Sequence, residues 1–376
     1  MIERWNTVLE DHGAEWTGER LAHFGNPERE RRMASTGDVM ADLSHFDLIE
    51  VTGDDATDFL QGQFGNDIRQ VSAERGQLSF YASPKGRAYA VFYVVPAPAG
   101  YFLIVPGGVA EALIQRLRMF VLRAKVQIES ANDARVRIGL SGPNSPRELA
   151  EAIGITQQHA EPYALISHNG VQALRIPAPQ PRFIVLVDNF DRARALWEQF
   201  NVRMAPIGRD AWTLGDILAG LPLVTPETRE HFVPQMLNLG VLGGISFAKG
   251  CYPGQEVVAR MHYLGKLKRA MLRYAATCEE PPAPGTPIVS LRAGNQTGAD
   301  ADPDTASAAS VASNTSTSDN TTVVGEIVAA SLHPDERMAL LAVMQLAHAD
   351  DELALGDANG PRLTRIVMPY ALPETA

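Results

Sequence analysis

The chain has 376 residues, more than one small core accommodates, so two or three domains are expected. Hydrophobic residues make up 45% and charged residues 20%, which excludes wholesale disorder and a membrane bundle, and the longest apolar stretches, such as Tyr89 to Val95, are strand-length. Lys and Arg total 33 against 44 for Asp and Glu, a net charge of −11 that argues against a general nucleic-acid coat. The first thirty residues alternate charges with Trp5, Trp16 and Phe24 and lack the apolar run of a secretory leader, so a cytoplasmic location is expected. Two cysteines, Cys251 and Cys278, are too few for a disulfide framework and lack the paired spacing of a zinc site, so no metal is expected.

In chain order, Phe46 to Val51 reads as a strand, and Thr52-Gly53-Asp54-Asp55 caps a short helix through Leu60. Strands follow at Gln77 to Ala82, Arg87 to Val95 and Tyr101 to Val105, and Val109, Leu113, Leu117, Phe120 and Val121 mark an amphipathic helix. From Arg135 the order repeats: a strand to Leu140, a helix near Pro146, strands at Ala164 to Ser167, Val171 to Ile176 and Phe183 to Val187, and a helix over Phe190 to Phe200. The repeat predicts a duplicated pair of layered α+β units. Beyond Ala270, short strands near Met271 to Ala276, Pro287 to Leu291, Val324 to Ala330, Met338 to Val343 and Leu363 to Met368 predict a small antiparallel barrel. Ala293 to Thr322, dominated by Ala, Ser, Thr, Asn and Asp, is expected to be a disordered loop within it.

The most unusual stretch is Lys249-Gly250-Cys251-Tyr252-Pro253-Gly254-Gln255-Glu256, followed by Val257-Val258-Ala259-Arg260. Pro253 holds Tyr252 extended and suits the first turn of a helix running through Arg260 toward Gly265. Cys251 would then stand just before a helix N-terminus with Lys249 nearby, an arrangement that favours the thiolate. The other reading is a small cysteine in a tight structural turn. From Lys249 to Arg273 there are six basic residues and one acidic residue, a local excess that reads either as an anion site or as a solvated face.

Lys249 to Glu256 resembles the signature of the YgfZ family, whose members are related to the glycine-cleavage T-protein and are linked to iron-sulfur protein maintenance and tRNA modification. Phe59-Leu60-Gln61-Gly62-Gln63 with Asn66-Asp67, Ser83-Pro84-Lys85-Gly86-Arg87, Phe232-Val233-Pro234-Gln235 with Asn238-Leu239, Gly243 to Phe247, and Val324-Gly325-Glu326 resemble other parts of that pattern. The resemblance implies an α+β fold of the T-protein type: two ferredoxin-like units and a C-terminal antiparallel β-barrel around a central folate cavity. It implies a discontinuous first domain, 1–49 with 131–262, closing on a second at 50–130, with a barrel at 265–373 carrying the 293–322 insertion. It implies tetrahydrofolate or a one-carbon derivative as ligand and iron-sulfur proteins as clients, with no membrane and no direct nucleic-acid partner. By the same resemblance, Cys251 and Lys249 are the chemically active pair, and Tyr252, Gly254, Gln255, Glu256, Arg260, Asp67 and Lys85 hold the folate.

The sequence departs from the T-protein pattern where an acidic pair is expected after the Pro84-Lys85-Gly86 turn; Arg87-Ala88-Tyr89-Ala90 stands there instead. Thr213, Leu214 and Gly215 stand about where an arginine and a glutamate are expected. Asp216 and Glu227 could substitute, although an Asp at such a place more often caps a helix. An accessory folate-binding role is therefore favoured over a folate-dependent aminomethyl or methyl transferase, with a pure interaction module as a third possibility.

Overall fold

A computed structural model of the chain describes residues 2–156, 161–263, 267–292 and 322–372. Helix α1 (Ile2–Asp11), a hairpin of β1 (Glu15–Thr17) and β2 (Arg20–His23), and α2 (Pro27–Thr36) open the chain. Helix α2 starts where Asn26 accepts the amide of Arg29 and Pro27 occupies the first turn.

Strand β3 (Val39–Asp42) precedes the first repeat: β4 (Phe46–Thr52), α3 (Ala56–Gln61), β5 (Gln77–Ala82), β6 (Ala88–Ala97), β7 (Gly100–Pro106), α4 (Ala110–Arg118) and β8 (Gln127–Ser130). These strands form an antiparallel sheet in the order β5-β6-β7-β4-β8. The alternation of a strand sends Ile49, Val51, Leu103 and Val105 against Leu60, Leu113 and Leu117 of the helices. Leu48, Leu78, Phe80, Tyr93 and Ile104 face the opposite way.

The second repeat runs β9 (Val136–Ser141), α5 (Ser145–Ile153), β10 (Leu165–His168), β11 (Val171–Ile176), β12 (Arg182–Val187), α6 (Phe190–Phe200) and β13 (Ala205–Ile207). Its sheet has the order β10-β11-β12-β9-β3-β13, the serial order of the first sheet with β3 inserted, and β13 pairs parallel with β3. The repeated element order legible in the sequence thus recurs as a repeated strand order. Helices again cover one face, where Trp197, Leu196 and Leu149 pack on Phe183 and Val185, and Trp5 of α1 joins them.

The uncovered faces of both sheets meet each other and α7 (Arg209–Ala219), which contributes Trp212, Leu214 and Ile217 to one continuous core. After α8 (Gln255–Tyr263), the strands β14 (Arg269–Ala276), β15 (Pro287–Ser290), β16 (Thr322–Leu332), β17 (Met338–Gln345), β18 (Leu353–Leu355) and β19 (Leu363–Ile366) form a third, antiparallel sheet in the order β18-β15-β16-β17-β14-β19. Among the described residues the expected barrel is a half-barrel, with a bridge between Ala354 and Arg362 where its end strands approach. Val328, Ala329 and Leu341 of this sheet join the central core. The expected loop over Ala293 to Thr322 lies outside the described residues except for Thr322, the first residue of β16.

Candidate functional site

The pieces of sequence set apart by their composition converge on one edge of the first sheet. The ammonium of Lys249 donates to three main-chain carbonyls, those of Gln61 at 2.7 Å, Phe64, and Asn66 at 3.2 Å. All three of its protons are used. Burial lowers its pKa to about 8, while Asp67 pulls the other way and Arg69 adds to the lowering, so the ammonium form still prevails at neutral pH. Asp67 itself caps a short 3-10 turn by accepting the amide of Arg69. Asn66 donates to the carbonyls of Leu78 and Gly243, tying the same loop to β5 and to the segment leading into Lys249.

Tyr252 is buried, its ring 5.9 Å from Phe80 in an edge-on contact, with the Lys249 nitrogen 5.2 Å from its centroid. Burial pushes its phenol above its ordinary pKa. Gly254 has φ +77, and a Cβ there would lie 2.4 Å from the Ser83 carbonyl oxygen and 2.6 Å from the Gly86 Cα. The turn at Ser83 to Gly86 is therefore pressed directly onto the turn at Pro253-Gly254, and only glycine permits both the backbone angle and the approach.

The helix begins at Gln255, not at Pro253, because the left-handed conformation of Gly254 breaks the helical path before it. Cys251 accordingly stands four residues ahead of α8 rather than against its N-terminus, and its side chain is exposed. Of the other expected site residues, Lys85 is exposed on the tip of its turn, and Glu256 and Arg260 are exposed on α8. Gln255 reaches back to the Gly250 carbonyl at 3.5 Å. The basic stretch also disperses: Lys249 turns into the 61–66 loop, Arg273 donates to the carbonyls of Leu218 and Val367, and Lys266 lies outside the described residues.

A second group of residues was not assembled by sequence reasoning. Between the two sheets and α7 lies a narrow cavity of about 20 Å³ lined by Leu78, Tyr93, Ile184, Trp212, Asp216 and Leu223 among others. Asp216 is mid-helix in α7, not a cap, and is 4% exposed. Burial raises its pKa, opposed by Arg182, whose guanidinium donates to Oδ1 at 2.7 Å. Arg182 also donates to the Trp212 carbonyl and lies 4.0 Å from the centroid of the Trp212 ring. The ion pair engages Oδ1 of Asp216. Tyr93 stands beside this pair, its pKa raised well above the ordinary value by burial, with Tyr163 and Asp216 adding to the rise. Glu227, the other acidic substitute, lies instead in a 3-10 turn at Pro226–Thr228, where Thr225 lowers its pKa. The signal for Asp216 was its place on α7: Trp212, Asp216 and Ala219 recur at helical spacing, and Gly220 at φ +66 ends the helix.

The two groups adjoin. Leu78 lines the cavity, Phe80 is two residues further along the same face of β5, and Tyr252 packs on Phe80. The Lys249-Cys251 loop thus occupies the end of the wall that encloses Asp216. Among the described residues no cluster of His, Cys, Asp or Glu could hold a metal ion, and no helix is long and apolar enough to cross a membrane.

Comparison with known proteins places this architecture. Residues 12–176 match the family described as GCVT N-terminal domain. The chain is 31% identical over 242 residues to the tRNA-modifying protein YgfZ of Colwellia psychrerythraea, covering 64% of this chain and 73% of that protein. It is 30% identical over 234 residues to the protein of the same name from Edwardsiella ictaluri, covering 62% and 70%. The crystal structure of the glycine cleavage system aminomethyltransferase T from Bartonella henselae superposes over 97% of this chain and 96% of its own with a TM-score of 0.69 at 15% identity, a likeness of fold. With its signature loop, its repeated sheets and this extent of identity, the chain belongs to the YgfZ family of tRNA-modifying proteins within the wider GCVT group.

Proposed function

We propose that the protein binds tetrahydrofolate or a one-carbon derivative between its two ferredoxin-like α+β units and the C-terminal half-barrel, and that in this state it supports the assembly or maintenance of iron-sulfur enzymes, including those that modify tRNA. The observation that carries the reading is the buried Asp216, held through Oδ1 by Arg182 and lining the central cavity with Trp212 and Tyr93. A pterin presents adjacent N–H donors on a planar ring. A carboxylate accepts those donors and aromatic rings cover the faces. Burial raises the Asp216 pKa and Arg182 opposes that rise while fixing the carboxyl group in place, so its position is set before the ligand arrives. The cavity is narrow, and binding requires its apolar walls, Leu78 and Leu223 among them, to separate.

The role of Cys251 follows from exposure. Its thiol lies on the surface beside the cavity wall, where a client protein or a small thiol reaches it, while Lys249 fixes the loop that presents it. The proposed division is that Cys251 carries the redox or adduct-forming step and Lys249 positions it. The transferase alternative is disfavoured because the turn at Ser83 to Gly86 is followed by Arg87 and Ala88, with no acidic pair where T-proteins carry one.

The test is complementation of cells that lack their own member of the family, reading the iron-sulfur-dependent modification of tRNA. Wild-type protein restores it, whereas Cys251→Ala and Asp216→Asn, expressed at equal level, do not. Full restoration by both variants contradicts the proposal.

A further inference from the structure

Helix α4 ends at Arg118, and the turn after it carries an apolar patch to the surface. Val121 packs with Leu113 and Leu117 on the first sheet, whereas Met119, Phe120 and Leu122 are 57%, 39% and 88% exposed. Helical spacing alone would carry Phe120 inward; the end of the helix before it turns the ring out. A single exposed apolar side chain is ordinary, but three within four positions form a patch. Leu122 is also held at φ +46, a left-handed angle unfavourable for a bulky side chain and well tolerated by glycine or asparagine. Leucine is thus both strained and exposed at this position, a choice that does not serve the fold. The turn itself is firmly tied, with the Ala124 amide on the Val121 carbonyl and the Lys125 amide on the Asp55 carboxylate, each at 2.8 Å.

Cations surround the patch. From Arg116 to Lys125 the sequence has four basic and no acidic residues, in a chain of net charge −11. The Arg116 guanidinium lies 5.4 Å from the centroid of the Phe120 ring, Lys125 pairs with Asp54 at 3.2 Å, and the exposed Arg123 has no ion pair among the described residues. Arg118 donates to the carbonyl of Ile128 in β8, the end strand of the first sheet, so that edge is occupied and strand addition is blocked there. A partner is therefore held by side chains. We infer that the 116–125 turn is a docking surface for an acidic segment of a partner protein, one with aliphatic or aromatic side chains among its carboxylates. Met119, Phe120 and Leu122 supply the apolar contact, and Arg116 and Arg123 the complementary charge. Leucine and methionine offer no ring on which bases stack, which disfavours RNA, and the net charge of −11 opposes approach to an anionic bilayer. The strained, fixed turn presents Leu122 before the partner arrives. The patch lies on the helix-covered side of the first sheet, whereas Phe80 and Tyr252 meet on the other, so the inference is independent of the cavity and its ligand.

The test places a photoreactive benzoylphenylalanine at Met119 of the full chain in its own cells and sequences the crosslinked peptide by mass spectrometry. The expected adduct is a protein segment rich in Asp and Glu with apolar side chains among them. That segment, made as a synthetic peptide, binds the purified wild-type chain, and Leu122→Asn or Arg123→Glu weakens it about 10-fold or more. Replacing its carboxylates by amides has the same effect. Leu122→Asn unfolds in urea at the same or a higher midpoint than wild type, since asparagine accepts the left-handed angle. A lower midpoint shows that leucine serves the fold and overturns the inference. Adducts confined to RNA or lipid, read by nuclease and phospholipase treatment, overturn it, as does the absence of any adduct. A protein adduct whose peptide is not acidic, or whose binding survives both variants, also overturns it.

Discussion

Gly254 and Gly86 meet backbone to backbone: a Cβ on the first would lie 2.6 Å from the Cα of the second, and a Cβ on the second 3.2 Å from the carbonyl oxygen of the first. Two turns 168 positions apart in sequence are thereby locked together at the site, and both glycines have positive φ. Gly254→Ala adds left-handed strain of about 1–2 kcal/mol to an overlap with the Ser83 carbonyl that cannot yield without moving backbone. The expected loss is about 2 kcal/mol or more, measured by urea unfolding. A change within about 0.5 kcal/mol, the range of ordinary surface substitutions, contradicts the close approach.

Lys249 holds the 61–66 loop through three carbonyls. Lys249→Met removes the donors and leaves those oxygens facing an apolar chain, which costs about 1–3 kcal/mol per buried unsatisfied group. Hydrogen exchange of the amides around Phe64 to Asp67 is expected to quicken in this variant. Unchanged protection there shows that the ammonium does not fix the loop.

His231 and Glu326 join the segment before the signature to the half-barrel. The hydrogen bond that His231 donates to the Glu326 carboxylate raises the His231 pKa against a smaller opposing effect of burial. A raised histidine contributes stability that is fully present below the unfolded value of about 6.5 and fades as pH rises through the higher folded value. The melting temperature of wild type minus that of Glu326→Gln is therefore largest near pH 5.5 and shrinks on going to pH 8. A difference that grows with pH contradicts the pair.

Cys251 is exposed, whereas Cys278 is partly buried and burial raises its pKa. Iodoacetamide at neutral pH should modify Cys251 well before Cys278, read by mass spectrometry of peptides. Equal rates contradict the accessible-thiol role.

The sequence made the repeats legible because their strands and helices carry strong periodicity. Gln77 to Ala82, Val171 to Ile176 and Phe190 to Phe200 stand in the structure with the boundaries the pattern predicts. The loop at Lys249 to Glu256 was legible for the opposite reason, its concentration of Gly, Pro and Cys. Helix α8 starts later than Pro253 suggested because Gly254 adopts positive φ, a property no residue pattern displays. The Arg182–Asp216 pair was missed since its members lie on different elements, β12 and α7, 34 positions apart. Strand β3, with four residues, is too short for periodicity to show and is fixed by pairing with β9 and β13.

The central claim is that a reduced folate occupies the cavity against Asp216, and isothermal calorimetry with tetrahydrofolate tests it most directly. Because breaking a buried ion pair alone costs about 3–5 kcal/mol, the comparison uses Arg182→Met with Asp216→Leu, which replaces both charges by apolar groups of similar size and keeps the core filled. The wild type binds tetrahydrofolate, and the double variant, folded by circular dichroism, loses that binding by at least about 10-fold, the loss of one strong hydrogen-bonding group. Equal affinity in the two proteins, or no binding by the wild type at millimolar ligand, contradicts the account.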